Sequence, residues 1–238
     1  MKAVVLAAGK GTRLNPITAN VPKPMLSVGS RPVIDWTLAM VAHCGVREVF
    51  VNLHHCAEVL MEFCGDGRRW GVRITYAFEP KLLGTAGAVR SLAPQLGGES
   101  PFLVVYGDNF YECDISGLAA FHKNHGGIAT LALFKKEDVA GAGIVQIDGS
   151  GRVARFVEKP SPSQMFSDLV NGGVYILSPE VLCHIPAAVP CDFGHDAFPS
   201  LLAAGHAMYG CVMEGAVWPI DTPPLYRTLR ERVGDGPI

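Results

Sequence analysis

The sequence has no acidic residue before Asp35, yet Lys2, Lys10, Arg13, Lys23 and Arg31 all lie ahead of it. With no carboxylate in the same stretch to neutralise them, these cations form a field suited to a polyanion. Paired thiols are also missing: the seven cysteines are odd in number and no Cys-x-x-Cys occurs. That argues against a disulfide framework and for a reducing, cytoplasmic setting. His54-His55-Cys56 invites a metal reading, but adjacent side chains rarely converge on one ion, and a strand-to-helix turn accounts for them. No apolar run reaches the roughly 18 residues a membrane helix needs. The opening run 3–8 ends at Gly9-Lys10 and is too short for a secretory signal. No basic run or aromatic–basic interleaving suggests a nucleic-acid surface.

What is present is apolar enough to fold. Hydrophobic residues make up 49% of the 238, which excludes a disordered chain and provides for one sizeable core. Short apolar runs alternate with helical spacing. Strands are predicted at 4–8, 48–53, 72–77, 102–106 and 129–134. Helices are predicted at 32–43, 57–64, 86–92 and from a Ser116 cap to about 124. This alternation predicts an α/β fold, Rossmann-like, with a mixed, mostly parallel sheet flanked by helices. From about residue 143 the pieces shorten (144–147, 153–158, 169–178), which suggests a mixed sheet in a smaller lobe. Segments 198–204 and 223–233 read as helices, and Gly-Asp-Gly-Pro at 234–237 as a frayed tail. One domain over 1–238 is expected, with parts meeting near residue 135.

Directly after the first strand stand Gly9-Lys10-Gly11-Thr12-Arg13-Leu14-Asn15-Pro16 and then Pro22-Lys23-Pro24-Met25. Glycines let backbone amides approach an anion closely. The stretch lacks the Gly-x-x-x-x-Gly-Lys-Ser/Thr of a P-loop. Leu14 occupies the place of a third glycine in a dinucleotide fingerprint, which disfavours an NAD-dependent oxidoreductase. The double motif Gly-x-Gly-Thr-Arg-Leu-x-Pro and Pro-Lys-Pro-Met resembles the sugar-1-phosphate nucleotidyltransferases, nearest in motif to mannose- and heptose-1-phosphate guanylyltransferases. The resemblance runs from Met1 to about Leu229. It implies a GT-A-like nucleotidyltransferase fold with a smaller sugar-binding lobe.

In the reaction this implies, a phosphate oxygen of a sugar 1-phosphate attacks the α-phosphorus of a nucleoside triphosphate, and pyrophosphate leaves. The second ionisation of a phosphate monoester lies at about pH 6, so the nucleophile is already charged and no general base is required. Cations and in-line positioning are what an enzyme must supply. By resemblance, Arg13 grips the β/γ-phosphates and Lys23 bridges attacking and leaving phosphates. Leu6, Ala8, Gly9, Gly11, Thr12, Arg13, Glu79, Gly84 and Thr85 are implied at the nucleotide. Asp108 and Asp221 are implied Mg²⁺ ligands, since that ion takes one or two carboxylates with phosphate oxygens and water. Asp221-Thr222-Pro223 is shorter than the common Asp-Ile-Gly-Thr-Pro and resembles the Met-Asp-Thr of glucose-1-phosphate cytidylyltransferases. Glu158 and Asn171 are implied at sugar hydroxyls and Lys159 at the sugar phosphate. Asn109, Gly143 and Gly173 complete that set.

Glu79 stands where relatives carry a base-reading residue. A carboxylate only accepts hydrogen bonds. Guanine offers two adjacent donors, uracil and thymine one donor between two oxygens, and cytosine an amino group beside an acceptor. The expectation is therefore GTP. Cytidylyl transfer is the leading alternative, and uridylyl and thymidylyl transfer stay open. So does a different class, a catalytically silent nucleotide-sugar-binding regulatory subunit. No hexapeptide repeat follows, so no acyltransferase domain is expected. Relatives often associate, which makes a homo-oligomer a candidate assembly.

Overall fold

A computed structural model describes residues 1–187 and 190–234. Residues 235–237 of the expected frayed tail lie outside that range.

β1 (Lys2–Leu6) leads through a long loop to the short antiparallel pair β2 (Ser27–Val28) and β3 (Arg31–Pro32), then to α1 (Val33–His43). β4 (Glu48–Leu53), α2 (Ala57–Cys64), β5 (Arg73–Phe78), α3 (Thr85–Ser91) and α4 (Ala93–Leu96) follow. Next come β6 (Phe102–Tyr106), β7 (Asn109–Glu112), α5 (Leu118–His125), β8 (Ala129–Lys135), β9 (Gly143–Ile147), β10 (Val153–Glu158) and β11 (Leu169–Leu177). The chain closes with α6 (Val181–His184), α7 (Phe198–Ala203), β12 (Met208–Val212), β13 (Ala216–Pro219) and α8 (Pro223–Val233). Ser116 does not cap α5. Its amide and hydroxyl both donate to the Asp114 carboxylate at 2.8 Å, and the helix starts two residues later. β7, β12 and β13 were not anticipated. Each is short and takes its strand character from a distant partner rather than from local pattern.

The chain forms two compact units, the first of residues 1–82, 105–112 and 217 onward, the second of 83–104 and 113–216. In the first, β1, β4 and β5 pair in parallel with Leu6 opposite Asn52. Val4, Val5, Val49 and Val51 are all buried, as strands covered on both faces require. α1 buries Ile34, Leu38 and Val41 at helical spacing. A further cluster joins Leu14, Leu26, Val28, Val33, Phe110, Ile220 and Leu229, so α8 packs on the long loop after β1. β13 pairs with β7, drawing the segment near 220 beside that near 108.

In the second unit, β8 lies antiparallel to β11 and parallel to β12. β11 meets β9, which runs antiparallel to β10. The β11–β8 register shifts between Asn171 and Tyr175, a bulge that re-aims the side chains around it. Behind it the Phe198 ring lies 5.0 Å from Tyr175, 5.2 Å from Phe193 and 5.5 Å from Phe156. Among the described residues, no helix is long and apolar enough to cross a membrane.

Candidate active site

The loop after β1 is fixed at several points. Gly11 has φ +61°, and the Thr18 hydroxyl donates to its carbonyl at 2.8 Å. A Cβ on Gly11 would lie 3.2 Å from Thr18 Cγ2 and 3.4 Å from Lys23 Cβ, so both conformation and proximity favour glycine. Leu14 is buried in the α8 cluster and anchors the middle of the loop. Pro22 opens the turn Lys23–Met25, whose last amide donates to the Pro22 carbonyl at 2.8 Å. Gly9, Thr12 and Arg13 remain exposed.

This framework leaves Lys23 only 5% exposed. Its Nζ lies 2.7 Å from Asp108 Oδ2 and 2.5 Å from Asp221 Oδ1. Arg13 Nη2 lies 3.2 Å from the other oxygen of Asp221. The expectation of unneutralised cations is therefore corrected for Arg13, Lys23 and Arg31. The carboxylates absent from the opening stretch arrive from 85 and 198 positions further along, and Arg31 pairs with Asp35 at 2.8 Å. Burial alone would push the Lys23 pKa down, but Asp108 and Asp221 outweigh it and the net shift is upward. Burial alone would raise Asp221, but Lys23 and then Arg13 hold it below its ordinary value.

Two elements deliver the carboxylates. Gly107 donates to the Leu6 carbonyl at 2.9 Å, which sets Asp108 at the end of β1 where the loop begins. A Cβ at Gly107 would meet Val5 and the Leu6 carbonyl, so the Gly-Asp pair needs its glycine. Asp221 follows the fully buried Ile220. Asn109, in the same unit, approaches the Tyr111 hydroxyl at 3.5 Å.

Glu79, at the end of β5, is 3% exposed. Asn52 donates to its Oε1 at 2.8 Å and accepts the Ala7 amide at 2.6 Å. One buried amide thus ties together the ends of β1, β4 and β5. Sequence reasoning missed Asn52, although a lone polar residue within Val49-Phe50-Val51-Asn52-Leu53 was a legible signal. Leu6 and Ala8 are buried beside it. His54 contacts the Glu79 carbonyl at 2.8 Å and His55 the Thr18 carbonyl at 3.0 Å, so the two imidazoles serve different contacts.

Gly84 and Thr85 belong to the second unit. Gly84 has φ +76°, and a Cβ there would collide with the Cys191 backbone. The Thr85 hydroxyl donates to Asp192 at 3.0 Å and accepts the Phe193 amide at 2.9 Å.

The same unit gathers most of the sugar-phosphate candidates. Gly143 sits opposite Glu158 in the β9–β10 ladder. A Cβ at Gly143 would fall 2.5 Å from Glu158 Oε2 and 3.5 Å from Asn171 Cβ. A Cβ at Gly194, in a π-helical turn, would collide with the same carboxylate, and this glycine was not singled out in the sequence. Burial raises the Glu158 pKa, although Lys159 and His195 oppose it. Asn171 donates to the Tyr175 hydroxyl at 2.9 Å and accepts the Gly173 amide at 3.2 Å. Gly173 has φ +72°, and exposed Lys159 has φ +47°, an uncommon conformation for a non-glycine residue. Asn109 belongs to the first unit.

Residues 2–222 match the model of the Nucleotidyl transferase family, and the chain belongs to that family. It is 35% identical over 226 residues to UTP–glucose-1-phosphate uridylyltransferase of Synechocystis sp., covering 90% of this chain and 58% of the relative. It is 34% identical over 232 residues to mannose-1-phosphate guanylyltransferase 1 of Arabidopsis thaliana, covering 96% and 63%. The mannose-1-phosphate guanyltransferase of Saccharomyces cerevisiae is 34% identical over 227 residues, with 94% and 62% covered. The chain thus spans about three fifths of the length of these relatives. Among solved structures, a Bacillus anthracis protein in complex with sucrose superposes with TM-score 0.88 at 23% identity, covering 100% of this chain and 97% of that one. HddC from Yersinia pseudotuberculosis, complexed with GMP-PN, gives TM-score 0.79 at 23% identity, covering 98% and 99%. These likenesses establish the fold, the expected mixed and mostly parallel sheet flanked by helices.

Proposed function

We propose that the chain transfers a nucleotidyl group from GTP to a mannose- or heptose-type sugar 1-phosphate, releasing pyrophosphate. The observation that carries this reading is Lys23, buried between Asp108 and Asp221 with Arg13 on the second carboxylate. Family membership supports nucleotidyl transfer.

The sugar phosphate reaches the reaction already ionised, so these side chains need move no proton. The barrier is the repulsion of two anions and the charge passing to the departing pyrophosphate. Lys23 and Arg13 meet that charge, and fixed cations act most strongly where charge develops. Asp108 and Asp221 fit Mg²⁺, because oxygens from both already converge on one cation. When bound, that ion supplies Lewis-acid stabilisation of phosphate oxygens. Lys23 and Arg13 hold the two carboxylates together against mutual repulsion. Lys159 takes the sugar phosphate, while Glu158 and Asn171 take hydroxyls.

The base is argued from Glu79, whose burial and Asn52 contact give an acceptor of fixed direction. Two adjacent guanine donors suit it. A second reading, UTP with glucose 1-phosphate, is favoured by the Synechocystis relative. Pyrophosphate release, measured with four triphosphates against a panel of sugar 1-phosphates, tests both. A clear preference for GTP with a mannose- or heptose-type substrate is expected. A preference for UTP or dTTP overturns the base assignment, and no release from any pair overturns transfer in favour of a silent binding subunit.

A further inference from the structure

Away from these residues, the second unit brings together a carboxylate and two imidazoles from separate segments. Glu180 directly precedes α6, His184 ends it, and His206 lies in the segment leading to β12. One ligand atom from each of the three lies within 4.8 Å of the other two. His184 Nε2 is 3.7 Å from Glu180 Oε1, and the two imidazole rings stand edge to face with centroids 4.1 Å apart. We propose that Glu180, His184 and His206 form a binding site for a zinc-class divalent cation.

The donor set selects the metal class. Imidazole nitrogen with one carboxylate suits Zn²⁺ and its neighbours, whereas Mg²⁺ and Ca²⁺ prefer oxygen alone. Two histidines and one glutamate make a known three-ligand arrangement, with water as the fourth ligand. Glu180 and His184 are exposed and His206 partly so, leaving room for that water. Zinc bonds of about 2.0–2.2 Å bring ligand atoms nearer than 4.8 Å, so binding draws the three side chains inward.

The backbone carrying these ligands is held in place. Arg90 donates to the Leu182 carbonyl at 3.2 Å and the Ile185 carbonyl at 2.5 Å, bracketing His184. Leu182 and Ile185 are buried, and the His206 amide donates to Leu201 at 3.0 Å. An exposed Glu–His pair at helical spacing contributes little stability by itself. A metal shared with His206 instead clasps α6 to the approach to β12. The site is separate in residues from Asp108 and Asp221.

Calorimetric titration of the whole chain with Zn²⁺, and Co²⁺ absorption as a geometric reporter, tests this. One ion per chain is expected, with a melting temperature raised by about 5–10 °C at a hundredfold excess over Kd. His184→Ala and His206→Ala should each abolish this uptake, His184→Cys should restore it, and Cys183→Ser and Asp108→Asn should retain it. Circular dichroism of the alanine variants separates lost ligands from lost fold. No uptake by the wild-type chain, or uptake unchanged in both histidine variants, overturns the site.

Discussion

Lys23 is held between two carboxyl oxygens, one from Asp108 and one from Asp221, rather than standing as a free surface charge. Its ammonium and the Arg13 guanidinium keep Asp108 and Asp221 compatible at close range. Lys23→Ala should lower kcat by about 10²–10³-fold with a smaller change in KM, as expected for a contact that strengthens in the transition state; steady-state kinetics with the preferred substrate pair reads this directly. Stability should carry the same signature. Asp221 has a folded pKa below its ordinary 3.8, so its contribution is present above that value and is lost as pH falls through the folded one. Lys23 has a folded pKa above 10.5, so its contribution is lost only as pH rises through that higher value. Asp221→Asn should therefore flatten the acid limb of a melting-temperature profile. At Glu158 the steric argument dominates. Gly194→Ala pushes a methyl group into its carboxylate and should raise KM for the sugar phosphate about tenfold, the worth of one charge-assisted hydrogen bond, leaving the triphosphate KM unchanged. Arg13, Lys23, Asp108 and Asp221 were all readable from motifs. Gly194 was not, because nothing in its neighbours reveals that a distant carboxylate rests on it.

Among the elements, β1, β4 and β5 matter for where they end. Their parallel register aligns Ala7, Asn52 and Glu79 at one rim, and a single buried carboxamide joins them. Asn52→Leu removes a partner from the Ala7 amide and from Glu79 together. It should cost about 1–3 kcal/mol for the unsatisfied buried group, visible as a fall of several degrees in melting temperature. Discrimination between triphosphates should weaken in the same variant, measured as the ratio of kcat/KM for GTP and UTP. If discrimination is unchanged while stability falls, Asn52 serves the sheet alone. Most long elements were legible because their apolar spacing is strong: β4, α2, β6, β10 and α8 have the expected bounds. β7 and β13 were not, since four-residue segments have too little pattern to outweigh their surroundings.

For the molecule as a whole, the first unit is assembled from three stretches of chain, and its C-terminal stretch supplies both Asp221 and the α8 packing. Leu229 is fully buried against the loop that carries Leu14. Leu229→Ala should destabilise by about 2–5 kcal/mol and also lower kcat, although the residue is not proposed to touch substrate; denaturant melts paired with kinetics on the folded fraction separate the two effects. The amino-acid sequence by itself determined the family, the α/β alternation and the identity of the principal charged side chains, because glycine loops, strand-period apolar runs and short motifs are local properties. Only the tertiary structure decided that Arg13, Lys23 and Arg31 of the opening stretch meet carboxylates, that Asn52 holds Glu79, and that a side chain at Gly194 would collide with Glu158. Those facts depend on which distant residues meet, and electrostatic pairing and close packing are set by separation in space rather than along the chain.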